Sequence, residues 1–152
     1  MSRADPIVGL GSDHAGFELK EYIKQKLKNM KIDFVDYGTN STKKVDYPDY
    51  GKLVAKDVAK GKLDKGILFC GSGIGMNIVA NKIKGIRAAS CYDLYTAKAS
   101  RSHNDANILT LGGRITGKKL ALEIVKVWLN TSFTGGRHLD RIKKVHELEK
   151  EW

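Results

Sequence analysis

The segment with the most chemical potential is a glycine-rich pentapeptide preceded by a cysteine. Gly71-Ser72-Gly73-Ile74-Gly75 follows Cys70. Three glycines in five residues let a ligand approach the backbone closely. If that turn opens a helix, its N–H groups form an anion site. A thiol just ahead of a helix N-terminus favours the thiolate form. The bland alternative is a tight turn beside an inert buried cysteine. Counting removes three named motifs. A dinucleotide fingerprint needs glycine where Met76 stands. A tyrosine-phosphatase loop needs arginine at that same place. A nucleophile elbow around Ser72 needs glycine where Cys70 stands.

Other reactive types recur along the chain. Asp13-His14 alone could be a helix cap with a surface histidine. His103-Asn104-Asp105 could be only a polar turn. Gly135-Gly136-Arg137-His138 followed by Arg141 puts two arginines four residues apart, on one face of a helix. That is either a solvated basic turn or an arginine fork for phosphate. Cys91 has no glycine-rich neighbour and reads as an inert thiol. Gly112-Gly113-Arg114-Ile115-Thr116-Gly117-Lys118-Lys119 matches a nucleotide-triphosphate loop except that Lys119 replaces the magnesium-binding Ser or Thr. It leaves a non-catalytic nucleotide-binding module as a remote alternative. Taken together, the chain offers a base, two histidines, an oxyanion site and a phosphate clamp.

The elements that must position these groups alternate. Apolar runs at 7–11, 32–35, 66–70, 86–90 and 108–111 read as strands. Between and after them lie amphipathic helical segments. Leu19, Tyr22, Ile23, Leu27 and Met30 mark the first; Leu53, Val54 and Val58 the second, with Pro48 in its first turn and Gly61 at its end. Ile78, Val79 and Ile83 mark the third. Asp93 caps a fourth through about Ser102. Leu120, Ile124, Val125 and Trp128 mark the fifth. A C-terminal helix over about 137–151 carries Leu139, Ile142, Val145, His146 and Leu148. Five strands, each followed by a helix, predict an α/β fold: a Rossmann-like three-layer αβα sandwich around a five-stranded parallel sheet. In such sheets ligands bind at the carboxyl ends of the strands. Asp13-His14, Cys70 to Gly75 and Gly112-Gly113-Arg114 all fall there.

Length and composition bound the rest. The 152 residues suit one domain, spanning 1–152. The net charge of +10 suggests anionic partners, but no basic run exceeds two residues. Dispersed lysines among acids argue against a nucleic-acid surface. No stretch is apolar enough to span a membrane, and no signal-peptide core is visible. Two cysteines build neither a disulfide scaffold nor a four-ligand zinc site. A cytoplasmic protein with reduced thiols and an anionic partner, such as a phosphorylated metabolite, is the expectation. A small open sheet with no lid also leaves its cleft open to water. A second copy of the chain is the economical cover.

The ordered motifs resemble those of ribose-5-phosphate isomerase type B, in the family that also holds galactose-6-phosphate isomerase subunits. The resemblance rests on Gly11-Ser12-Asp13-His14-Ala15-Gly16-Phe17, Asp46-Tyr47-Pro48, Cys70 to Gly75, Ala80-Asn81-Lys82, Gly85-Ile86-Arg87-Ala88, Ser102 to Asn107, Gly112-Gly113-Arg114 and Gly135 to His138. It implies interconversion of ribose 5-phosphate and ribulose 5-phosphate without metal or cofactor. It implies a homodimer, or a dimer of dimers, with shared active sites. Cys70 matches the base of the family's Cys-containing branch; the Glu of another branch corresponds to Met76. Gly71, Ser72, Gly73, Ile74 and Gly75 would stabilise the enediolate. His103, assisted by Asp13, would open the sugar ring, and Asn104 would hold a sugar oxygen. His14, Arg114, Arg137 and Arg141 would take the phosphate, with Tyr47 and His138 lining the pocket. Cys70 is expected to face His103 and Arg114 of the partner. The same framework serves six-carbon aldose phosphates, allose 6-phosphate or galactose 6-phosphate, which remain the alternative substrates.

Overall fold

A computed structural model describes residues 6–152. Five strands form one parallel sheet: β1 (Ile7–Ser12), β2 (Asp33–Asp36), β3 (Lys65–Cys70), β4 (Ala88–Ser90) and β5 (Ile108–Gly112). Their order is β2-β1-β3-β5-β4. Every neighbouring pair is parallel, with Gly9 opposite Gly66 and Cys70 opposite Gly112. The helices are α1 (Phe17–Asn29), α2 (Tyr47–Ala59), α3 (Ile74–Asn81), α4 (Leu94–Ser102), α5 (Lys118–Asn130) and α6 (Arg137–Leu148). A short 3-10 turn, Glu149–Glu151, ends the regular structure.

Two apolar layers explain the strand sequences. On one face, Leu19, Ile23 and Leu27 of α1, Ala97 of α4 and Ile124, Val125 and Trp128 of α5 pack on Val8, Leu10, Ile67, Phe69, Leu109 and Leu111. On the other, Val54, Ala55 and Val58 of α2 and Met76 and Ala80 of α3 pack on Leu68 and Ile108. A sheet covered on both faces needs near-continuous apolar strands, which is what β1, β3 and β5 supply.

Several details depart from the apolar periodicity. Helix α3 stops at Asn81, short of Ile83, and turns Met76 and Ala80 inward while Ile78 is 54% exposed. Leu53 and Leu120 also face outward. The fourth strand keeps only Ala88 to Ser90 of the expected 86–90 run: the Ile86 N–H turns back to the Ile83 carbonyl at 3.1 Å, and pairing with β5 begins at Ala88. Helix α6 has an apolar stripe, yet none of its residues is buried.

Chain direction sorts the functional segments. In a parallel sheet, residues that follow a strand collect at its carboxyl edge. A helix that follows runs back, so its C-terminus lies at the amino edge. Asp13, Cys70 to Gly75 and Arg114 are of the first kind. His103 caps the C-terminus of α4 and belongs to the second. The segment after α5 joins it there, where Thr134 donates its N–H and its hydroxyl to the Ser102 carbonyl at 3.1 and 2.7 Å.

Candidate active site

Three strand-end loops meet at the sheet's switch point, between β1 and β3. They are tied by backbone hydrogen bonds. Gly113 N–H donates to the Cys70 carbonyl (2.8 Å), Arg114 N–H to the Gly71 carbonyl (3.0 Å) and Asp13 N–H to the Phe69 carbonyl (3.2 Å). The contact is close enough to demand glycine. A Cβ on Gly112 would lie 2.6 Å from the Ser72 carbonyl carbon, and one on Gly16 would lie 2.5 Å from the Phe69 oxygen. Gly73, at φ +85°, takes the left-handed turn that starts α3.

The loops enclose a cleft of about 500 Å³ lined by Asp13, His14, Ala15, Tyr47, Cys70, Gly71, Ser72, Gly75, Arg114 and Ile115. Cys70 is an unpaired thiol, 4% exposed, and Gly73 N–H donates to its Sγ at 3.1 Å. Ser72 Oγ accepts the Ile74 N–H at 3.2 Å, which leaves the hydroxyl proton to donate elsewhere. Tyr92 holds the loop from outside, its hydroxyl donating to the Ser72 carbonyl at 2.8 Å. Asp13 accepts the Gly16 N–H at 3.0 Å. His14 Nδ1 accepts the Val45 N–H at 3.2 Å, so the proton of the neutral ring sits on Nε2. The Tyr47 ring lies against Gly75, where a Cβ would come within 2.8 Å of it.

A buried ion pair braces this edge from behind. Lys20, fully buried on α1, donates to both carboxylate oxygens of Asp36 at 2.8 Å. Asp36 also accepts the Gly38 N–H at 2.9 Å, and the Gly38 carbonyl accepts the Ser12 N–H at 2.8 Å, one residue before Asp13. Desolvation opposes the Asp36 charge. The hydrogen bonds from Lys20, Lys24 and Gly38 outweigh it and hold its pKa below the ordinary value.

The remaining candidates gather elsewhere. The rings of His103 and His138 stack with centroids 4.4 Å apart. Arg137 and Arg141 flank a small basic hollow with Asp140 and Lys144. Partial desolvation and then the neighbouring His103, Arg137 and Arg141 hold the pKa of His138 below the ordinary imidazole value. None of His103, Asn104, Arg137, His138 or Arg141 lines the Cys70 cleft. Strand β5 separates the two groups by four residue steps, about 13 Å along the sheet. Arg114 departs from expectation in the other direction: it sits beside Cys70 in its own chain, its N–H bonded to Gly71.

Ala15 and Ile115 also line the cleft, though sequence reasoning gave them no role of their own; they stood only as members of the motifs around His14 and Arg114. The inert reading of Cys91 fits its surroundings. Burial pushes that thiol's pKa up, so it stays protonated. Among the described residues, no cluster of three or more His, Cys, Asp or Glu side chains could hold a metal ion. No helix there is long and apolar enough to cross a membrane.

A doubly covered parallel sheet with a glycine-rich loop, a thiol and basic side chains at its switch point defines an α/β enzyme. The family follows from comparison: residues 8–145 match the Ribose/Galactose Isomerase family, and the chain belongs to it. Ribose-5-phosphate isomerase B of Escherichia coli is 44% identical over 143 residues, covering 94% of this chain and 96% of that one. The structure of Clostridium thermocellum ribose-5-phosphate isomerase B superposes with a TM-score of 0.94 at 50% identity, over 95% of this chain and 98% of that one. The Mycoplasma genitalium ribose-5-phosphate isomerase B structure, which carries bound ribulose-5-phosphate, gives 0.92 at 40% identity, over 96% and 97%.

Proposed function

We propose that the chain is a ribose-5-phosphate isomerase, interconverting D-ribose 5-phosphate and D-ribulose 5-phosphate through an enediolate. In this reading it works in the cytoplasm as a homodimer of single-domain chains, residues 1–152. Each active site joins the Cys70 cleft of one chain to the His103 and Arg137 cluster of the other. The observation that carries the shared site is the separation of the two groups to opposite edges of one sheet. The enzymes named above, similar over nearly the whole chain, support the substrate.

The chemistry needs ring opening, then proton transfer between adjacent carbons. His103 exchanges a proton with the ring oxygen while Asp13, from the other chain, takes up the anomeric hydroxyl proton. The Cys70 thiolate then removes the C2 proton of the open aldose. The C–H electron pair forms the C1–C2 double bond, and the C1 carbonyl electrons move to oxygen. The thiol returns its proton to C1, and the O2 proton passes to O1 as the C2 carbonyl forms. Two loop donors are already engaged within the chain, Gly73 on Sγ and Ile74 on Ser72. The enediolate therefore draws on the N–H groups of Gly71, Ser72 and Gly75 and on the Ser72 hydroxyl. His14 Nε2 and Arg114 meet Arg137 and Arg141 around the phosphate, Asn104 holds a sugar oxygen, and Tyr47 and His138 line the walls.

Mixing inactive Cys70→Ala with inactive His103→Ala, unfolded and refolded together, tests the shared site. Each mixed dimer would carry one site with both groups intact, and activity should return. Persistent inactivity, with mixed dimers shown to form, rejects the pairing.

A further inference from the structure

The motif Gly85-Ile86-Arg87-Ala88 has no task in the mechanism above, yet Arg87 is among the most engaged side chains of the molecule. Its guanidinium works on two sides. On one, Nε donates to the carbonyl oxygens of Asn104 (3.1 Å) and Asp105 (3.0 Å), and Nη2 lies 3.5 Å from the Asp105 carboxylate. On the other, Nη1 is 2.6 Å from Nε2 of His146 on α6. Arginine only donates, so that ring nitrogen is the acceptor.

Both contacted segments need such support. Asp105 has φ +48°, in the left-handed region uncommon for a residue with a side chain, and Arg101 Nη1 also donates to its carboxylate at 2.9 Å. Helix α6 buries no residue, so polar contacts rather than a core fix it to the body. His103 lies two residues before Asp105, and α6 carries Arg137, His138 and Arg141. The His103–His138 stack joins the same two segments eight residues further back along α6.

We propose that Arg87 is a positioning residue, which sets the His103 turn and α6 against each other so that ring opening and phosphate binding occur on one sugar. The proposal rests on the isomerase reading and on the ring-opening role of His103. Lysine is a poor substitute, because one ammonium on a flexible stem cannot serve both sides as a planar guanidinium does.

The test compares kcat/KM for ribose 5-phosphate, which is mostly cyclic, with that for D-erythrose 4-phosphate, an aldose phosphate whose phosphorylated O4 prevents closure to a furanose. A loosened α6 lowers both values together. A displaced His103 lowers the first more than the second. His103→Asn sets the reference change in the ratio. Arg87→Lys should shift the ratio in the same direction by at least tenfold. The Arg87→Lys/His103→Asn double variant should shift it no further than His103→Asn alone. A general loss of stability would reduce both rates equally and leave the ratio unchanged, and that result for Arg87→Lys overturns the proposal. If His103→Asn leaves the ratio unchanged, the ring-opening role itself fails and takes the proposal with it. Should Arg87→Lys not fold, His146→Phe cuts only the α6 side. It should raise KM for both sugars at least threefold with the ratio constant, and an unchanged KM overturns the coupling to α6.

Discussion

Replacing Gly112 by alanine tests whether the position of the Cys70 to Gly75 loop matters to catalysis. The new Cβ would lie 2.6 Å from the Ser72 carbonyl carbon, 2.7 Å from its oxygen and 2.8 Å from Ile115 Cγ1. Two of these three atoms are backbone, so no side-chain rotation relieves the clash. Reaching ordinary contact needs a shift of about 1 Å between the two loops. The Gly113 and Arg114 N–H bonds to Cys70 and Gly71 span that same gap and would be strained or lost. At about 0.5–1.5 kcal/mol each, they put the stability cost at about 1–3 kcal/mol. Tm should fall by about 2–4 °C for each of those kcal/mol at this chain length. Activity should fall further than stability. A misplacement of about 1 Å can cost on the order of 10²-fold in rate, and here it moves both the base and the donors for the enediolate. The assay is a coupled measurement of kcat and KM on folded protein, beside a thermal melt. Gly117→Ser is the control: nothing lies within 4 Å of a Cβ there, and serine caps a helix well, so both readouts should stay near wild type. Wild-type kcat/KM in Gly112→Ala would refute the reasoning, since the reacting groups would then tolerate a displacement the geometry says they cannot.

Cys70→Ala should abolish exchange of the substrate C2 hydrogen with deuterated solvent while the circular dichroism stays native; Cys91→Ala should leave exchange intact, and equal damage would move the base to the second thiol. Arg137→Ala should lose a charge-assisted hydrogen bond worth about 1.5–3 kcal/mol, read as a KM raised by roughly ten- to hundredfold; unchanged affinity for inorganic phosphate would take Arg137 out of the clamp. Asp36, with its folded pKa below 3.8, stabilises the fold above that pH and loses the contribution as pH falls through the lowered value. The gap in urea midpoint between wild type and Asp36→Asn should therefore be wide at pH 7 and narrow at pH 3, and a gap independent of pH would contradict the ion-pair account.

Much of the fold was legible because both sheet faces are covered. The runs at β1, β3 and β5 are uniformly apolar, and the glycines after them mark where the chain turns. Asp93 capping α4 was readable for a local reason: its carboxylate accepts the Thr96 N–H at 2.7 Å, a bond made within four residues. The outward-facing apolar residues were not. Ile78 and Leu120 sit at helical spacing with buried neighbours, and only three-dimensional packing decides that Met76 and Ile124 point inward instead. Lys20 was equally hidden. A lysine on an amphipathic helix reads as solvated, and its burial depends on Asp36, sixteen residues away.

The site was legible in its residue types but not in its assembly. The strand pattern marks Cys70 and Arg114 as carboxyl-edge residues, but the residue types of His103-Asn104-Asp105 and Gly135 to Arg141 give no sign of which edge those segments reach. Strand direction decides it. Arg114 follows a strand and must share the edge of Cys70, which is why it lies in the same cleft rather than across an interface. His103 ends the helix returning from β4, and Arg137 opens the helix after α5 has returned from β5; both are therefore committed to the amino edge. A rotation of any side chain is too short to bridge a strand of five residues. If one sugar phosphate is to meet the thiol and the histidine together, the second must come from another chain. A two-fold axis would then place the amino-edge cluster of each copy over the carboxyl-edge cleft of the other, and any such arrangement makes two equivalent sites or none.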